Sequence, residues 1–107
     1  MRIPICLFEK EDLVYLRDRL GSLRRRGDCL VFSVGEWRTV LKTAGATLPE
    51  KDRAMRRLSL RLCAEFNEQR KQGINRQALL PLVESMVRLE PTVADWMLSK
   101  LDNGRMA

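Results

Sequence analysis

The sequence contains no histidine. That removes the side chain most often used as a general base, proton shuttle or metal ligand near neutral pH. Cysteine is scarce as well: Cys6, Cys29 and Cys63 lie 23 and 34 residues apart, with no CxxC pair among them. An odd number at such spacings gives neither a zinc site nor a disulfide framework, so three reduced thiols in a reducing compartment are expected. Long apolar runs are missing too. The stretch Ile3–Phe8 is interrupted by Pro4 and meets Glu9-Lys10-Glu11-Asp12, which is too short and too soon charged for a signal peptide. Nothing later approaches the roughly 20 apolar residues of a membrane span. The expectation is a soluble cytoplasmic protein that does not use a membrane.

Chemistry-bearing motifs are equally sparse. There is no glycine-rich phosphate loop, no nucleophile elbow and no metal-ligand spacing. Acidic pairs occur only where helices begin, and capping accounts for them. An enzyme is therefore not expected, and neither is a cofactor, a metal or a small-molecule substrate.

What the sequence does have is charge, placed unevenly. The 107 residues carry 20 Lys+Arg against 14 Asp+Glu, a formal net charge of +6. Residues 1–30 are net +2, residues 31–73 net +4 and residues 74–107 neutral. Fifteen of the basic residues are Arg and five are Lys. Arginine suits bidentate contacts with phosphate or carboxylate, although a GC-rich bacterial genome would give the same bias.

Local signals predict a mainly α fold in one small helical domain over residues 1–107. It has about five helices and at most two short strands, at 3–7 and 29–34. The first helix is expected over 9–25, with acids in its first turn, Arg24-Arg25-Arg26 capping its last and Gly27 as its stop. Ser33 and Glu36 form a capping box for the second helix, which runs to Gly45. Thr47 and Glu50 repeat that box, with Pro49 in the first turn of a long third helix at about 48–72 that Gly73 ends. Asn75 caps a fourth helix, with Pro81 delaying its start. Thr92 opens a fifth, ending at Asn103-Gly104. At 25 residues the third helix is about 37 Å long, against a radius of gyration of about 13 Å for a compact chain of this size. Either it crosses the whole molecule or one end projects towards a second chain.

Two surfaces follow from periodicity. On the third helix Met55, Leu58, Leu62 and Phe66 fall within about 80° of arc, with Ser59 and Cys63 beside them. Arg53, Arg56, Arg57 and Arg61 then face outward, interrupted by Leu60 and Ala64. Such a row could neutralise phosphates, although Glu50, Asp52, Glu65 and Glu68 dilute it. The last two helices are apolar over half their circumference, which calls for cover on two sides. The outward positions Asp95, Ser99 and Asp102 suit a helical hairpin better than a recognition helix.

The leading expectation is thus a small cytoplasmic regulatory protein that acts by protein–protein interaction, as a partner-binding or inhibitory module and a homodimer. Its binding residues would be Trp37, Met86, Trp96, Met97 and Leu101. The alternative is a nucleic-acid-binding transcription regulator that uses Arg53, Arg56, Arg57 and Arg61 on the helix face, helped by Arg24-Arg25-Arg26 as a phosphate-binding cluster.

Overall fold

Short segments of extended chain open the fold, and the helices are laid around them. The structure, a computed structural model, describes residues 1–106, with side chains through Asp102. In order it has β1 (Arg2–Pro4), a 3-10 turn (Ile5–Leu7), α1 (Lys10–Leu20), β2 (Arg24–Arg26) and β3 (Cys29–Val31). These are followed by α2 (Val34–Thr43), α3 (Glu50–Lys71), α4 (Arg76–Leu89) and α5 (Pro91–Met106). The mainly α class with one long helix stands as the sequence gives reason to expect.

Among the described residues the strands number three rather than two. They form an antiparallel sheet in the order β1-β3-β2. The extra strand is Arg24-Arg25-Arg26, expected as a helix cap. Gly21, at φ 81°, ends α1 six residues before Gly27 and frees the arginines to extend. Gly27, at φ 62°, then serves as the first residue of a two-residue hairpin turn with Asp28. Positive φ at that position alone is the geometry of a type II′ turn, which glycine adopts without steric cost.

The caps explain most other boundaries. The Glu9 amide donates to Asp12 Oδ2 at 2.9 Å to start α1. Ser33 and Glu36 exchange the two bonds of a capping box on α2, at 2.8 and 3.2 Å. The box expected at Thr47 does not form. A turn in which the Leu48 amide donates to the Gly45 carbonyl at 2.8 Å takes up that segment, so α3 begins at Glu50. Asn75 caps α4 by accepting from the Ala78 amide at 3.0 Å. Pro81 lies inside α4 instead of delaying it. Its missing N–H removes the donor that would otherwise reach the Gln77 carbonyl, on a residue exposed to water. Pro91 is the first residue of α5, where a proline needs no donor, and the helix continues past Asn103-Gly104.

The long helix crosses the entire molecule, whose principal extents are 38 × 28 × 20 Å with a radius of gyration of 13.7 Å. No end projects. Its buried residues are Arg56, Ser59, Leu60, Cys63 and Phe66. That face is rotated by about 90° from the stripe that hydrophobicity selects. Phe66 belongs to both faces, while Met55 and Leu58 are 43% and 46% exposed. The rotation follows from what must be covered. The side of α3 carrying Arg56 and Asn67 meets β1 and the turn after it: Arg56 donates to the Leu7 carbonyl, and Asn67 to that of Arg2.

Most of the apolar surplus of the last two helices is buried within the chain. Leu79, Val83 and Met86 of α4 and Val93, Ala94, Met97 and Leu101 of α5 are buried in one core with Ile3, Leu7, Leu30, Phe32 and Phe66. Because α4 and α5 pack as a hairpin and also meet α3 and the 3-10 turn, most of their wide apolar arcs are covered within the chain, while Val87 stays 50% exposed.

Candidate functional site

Of the five residues expected to bind a partner, four are buried in the core of this chain and the fifth, Trp96, is partly covered. Met86 and Met97 have no exposed surface, and Leu101 and Trp37 are buried. Trp37 packs at a tilt on Phe32, with ring centroids 6.5 Å apart. Trp96 is half-buried: its ring stands edge-on to Phe66 at 6.0 Å, and its indole N–H is engaged by Asp28. These side chains form no common surface, because core packing uses the same residue types that interfaces favour.

The row of arginines on α3 is divided in the same way. Arg56 is 9% exposed and sits on the buried face. One terminal nitrogen donates to the Leu7 carbonyl at 2.6 Å and lies 3.1 Å from Glu90 Oε1. The other is 3.4 Å from Glu9 Oε1, and Asp12 completes the surround at 4.0 Å. One guanidinium therefore ties the 3-10 turn and the start of α1 to the start of α5. Arg53 and Arg57 are half-buried, with their Nε atoms enclosed. Only Arg61 of the four remains exposed. Leu60 and Ala64, which interrupt the row in sequence, were the signal that this side of the helix turns inward.

A recess lies beside Arg56, lined by Phe8, Asp12, Leu16, Val40, Thr43, Ala44 and Leu60. Its free space is about that of one water molecule, far below the several hundred Å³ of a small-molecule site. The thiols lie elsewhere. Cys29 and Cys63 are buried and Cys6 is exposed, all three free. Burial raises each thiol above its ordinary range. In Cys29, burial first and then the Asp28 carboxylate push it to about 11, and Cys63, with no exposed surface, is raised further. A raised thiol is a poor nucleophile. Among the described residues, no group of His, Cys, Asp and Glu could hold a metal ion, and no helix is long and apolar enough to cross a membrane.

The exposed functional groups with a common direction are on the sheet. Arg24, Arg25 and Arg26 are all exposed on β2, whose outer side has no neighbouring strand among the described residues. The register places Arg24 opposite Val31 and Arg2, and Arg26 opposite Cys29 and Pro4. Side chains at opposed positions share a sheet face, so Arg2, Arg24 and Arg26 form a basic face with Val31 between two of them. Arg25 belongs to the other face, beyond Leu30 and Ile3. The amino terminus lies at the same end, donating to the Phe32 carbonyl at 2.7 Å. Glu36, at the start of α2, pairs with Arg24. Its carboxyl is held below the ordinary range first by the Ser33 amide, with Arg24 a smaller contributor.

The hairpin carrying these arginines is latched to α5. Asp28 accepts from Trp96 Nε1 at 2.7 Å and pairs with Lys100 Nζ at 2.9 Å. Lys100 first, with Trp96 and Cys29 also donating, lowers the Asp28 carboxyl to about 2. In sequence the three arginines suit a helix cap or a phosphate-binding cluster, and nothing in the run itself marks a strand edge. The Gly27-Asp28 pair between two short runs was the available sign of a hairpin. Compared with known protein families, curated proteins and solved structures, the chain matches none.

Proposed function

We propose that this chain is a small regulatory module that acts by protein–protein interaction, and that it binds its partner through the arginine-bearing end of its sheet. The observation that carries this reading is β2: three consecutive arginines, all exposed, on a strand whose outer side is unpaired among the described residues. An edge of this kind offers backbone hydrogen bonds and positive charge together, a combination that a polypeptide can use and a phosphate backbone can use only in part. The internal use of Trp37, Met86, Met97 and Leu101 moves the partner surface away from the helices. It also withdraws the apolar argument for a homodimer.

The arginine row on α3 gives the nucleic-acid alternative little support, because Arg56 is committed to the interior and Arg53 and Arg57 are half-covered. The reading places the module in a reducing, cytoplasmic setting, in keeping with three free thiols. It acts by binding rather than by catalysis.

The test compares the immobilised wild-type chain with the triple variant Arg24→Glu, Arg25→Glu, Arg26→Glu in nuclease-treated extract of the native cell. The expected result is one or more proteins retained by the wild type and lost by the variant. Retention of nucleic acid before nuclease treatment, with no protein retained after it, would refute the reading.

A further inference from the structure

The register of the sheet fixes which way each backbone group of β2 points. The Ile5 amide donates to the Asp28 carbonyl, and the Phe32 amide to the Met1 carbonyl, both at 2.8 Å. With Leu30 opposite Ile3, every second residue of this segment (Asp28, Leu30, Phe32) therefore bonds towards β1. Cys29 and Val31 bond the other way, to Arg26 and Arg24. Arg25, opposite Leu30, is then a non-hydrogen-bonded position of the β2–β3 pair, and its N–H and C=O point outward from the open edge. The Arg25 side chain folds back along this edge, donating to the Gly27 carbonyl at 2.9 Å.

Resting on the protein-binding reading above, we infer that this edge receives an extended acidic segment of the partner as a fourth strand. Arg25 provides the backbone pair, and Arg24 and Arg26 receive carboxylates from the two residues flanking the one that pairs with Arg25.

Charge chooses between possible occupants. A second copy pairing antiparallel through its own β2 would set Arg25 against Arg25 and Arg24 against Arg26 twice. Like charges directly opposite one another destabilise a sheet, and arginine on an edge is a means of preventing self-pairing. The same three residues attract a strand of opposite charge. The pleat puts Arg24 and Arg26 on one face, so a segment with acids at alternate positions matches them and one with acids in a block does not.

The chain itself shows that a carboxylate fits here, since Glu36 already pairs with Arg24. Glu36 is thus an internal competitor for the incoming acid. Its Oε1 also accepts from the Ser33 amide at 2.8 Å, a bond that glutamine keeps. Glu36→Gln removes the competing charge and leaves the helix cap in place.

The experiment titrates the full chain, isotope-labelled for NMR, with a blocked nonapeptide of alternating glutamate and threonine. A peptide of the same composition with its glutamates in one block, and a duplex DNA of matched charge, serve as comparisons. Saturable binding of the alternating peptide below about 1 mM in 50 mM salt is expected. So is slower hydrogen exchange at the Arg25 amide, because that donor gains a partner. Arg26→Glu should weaken binding by about tenfold and Arg26→Gln by less, while Glu36→Gln should strengthen it by about twofold to threefold. Arg26 has no ion pair among the described residues, and an unchanged circular dichroism spectrum checks that its variants fold.

Absence of saturable binding, or binding that leaves Arg25 exchange unchanged, overturns strand addition and leaves the protein-binding reading standing. Tighter binding of the DNA, with the same dependence on Arg26, overturns both. Dimerisation of the free chain that slows Arg25 exchange overturns the choice of occupant.

Discussion

The indole N–H of Trp96 reaches across 68 residues of sequence to donate to Asp28 Oδ2 at 2.7 Å. Lys100, one helical turn further along α5, holds the same carboxylate oxygen at 2.9 Å. Asp28 is the second residue of the β2–β3 turn, so these two contacts set where the hairpin and its three arginines stand relative to the helices. Positioning is a tertiary matter here, resting on one half-exposed carboxylate.

That carboxylate gives the fold a pH dependence. Asp28 titrates at about 2 in the folded chain, against an ordinary value of 3.8. Its contribution is present in full above about pH 4 and is lost as the pH falls towards 2. Because the side chain is half exposed, solvent screening limits the effect to about 1 kcal/mol. Thermal melts of wild type and Asp28→Asn should differ at pH 5 and converge near pH 2. Parallel curves across that range would show that the charge does not contribute.

Arg56 is the side chain whose loss should cost most among the charged residues. Arg56→Ala leaves the Leu7 carbonyl without its donor and removes the cation shared by Glu9, Asp12 and Glu90. A loss of about 2–4 kcal/mol in urea unfolding is expected. Arg56→Lys should recover only part of it, since one ammonium cannot reproduce the planar fork. Arg61→Ala, on the exposed side of the same helix, should change stability by less than about 0.5 kcal/mol.

The thiols should separate by burial. With an aromatic disulfide reagent at pH 8, the native chain should react through one thiol, Cys6, and slowly, because partial burial raises that thiol. Cys29 and Cys63 should react only once the chain is unfolded in denaturant. Fast labelling of a second thiol in the native state would contradict the burial of Cys29 or Cys63, and labelling of all three that of both.

Gly45 should be harder to replace than Gly21. Both have positive φ, 67° and 81°. A Cβ at Gly45 would meet Arg53 Cγ at 3.1 Å and Leu48 Cδ1 at 3.2 Å, whereas one at Gly21 meets nothing within 4 Å. Gly21→Ala then carries the backbone strain alone, about 1 kcal/mol. Gly45→Ala adds the displacement of two side chains, for about 2 kcal/mol in all. Equal losses in chemical denaturation would mean that Arg53 and Leu48 move aside freely.

The candidate site was partly legible in the residues and barely so in their arrangement. Arg24-Arg25-Arg26 is conspicuous in any reading, but three arginines after a helical run suit a cap as well as a strand. What separates the two is whether Gly21 or Gly27 ends the helix. Both glycines can adopt a left-handed conformation, and only the pairing of Cys29–Val31 with β1 favours the hairpin. The α3 arginines misled for a related reason. Periodicity selects the most apolar stripe, yet a guanidinium that finds a carbonyl and carboxylates around it can occupy the buried face.

The lack of histidine and the scatter of cysteine, which point away from metal and nucleophile chemistry, required no structure to read. Nor did the number of helices, which follows from capping pairs and stop glycines that act over a few residues, although the structure moved the end of α1 and the start of α3. What only the tertiary structure decided is which side of each helix turns inward, and therefore which side chains remain for a partner. Met86, Met97 and Trp37 became core, Arg56 became an internal tie, and the arginines of β2 stayed in solvent. The physical reason is range. Caps and turns are satisfied by neighbours in sequence, while burial depends on contacts such as Arg56 with Leu7 and Trp96 with Asp28, 49 and 68 residues apart.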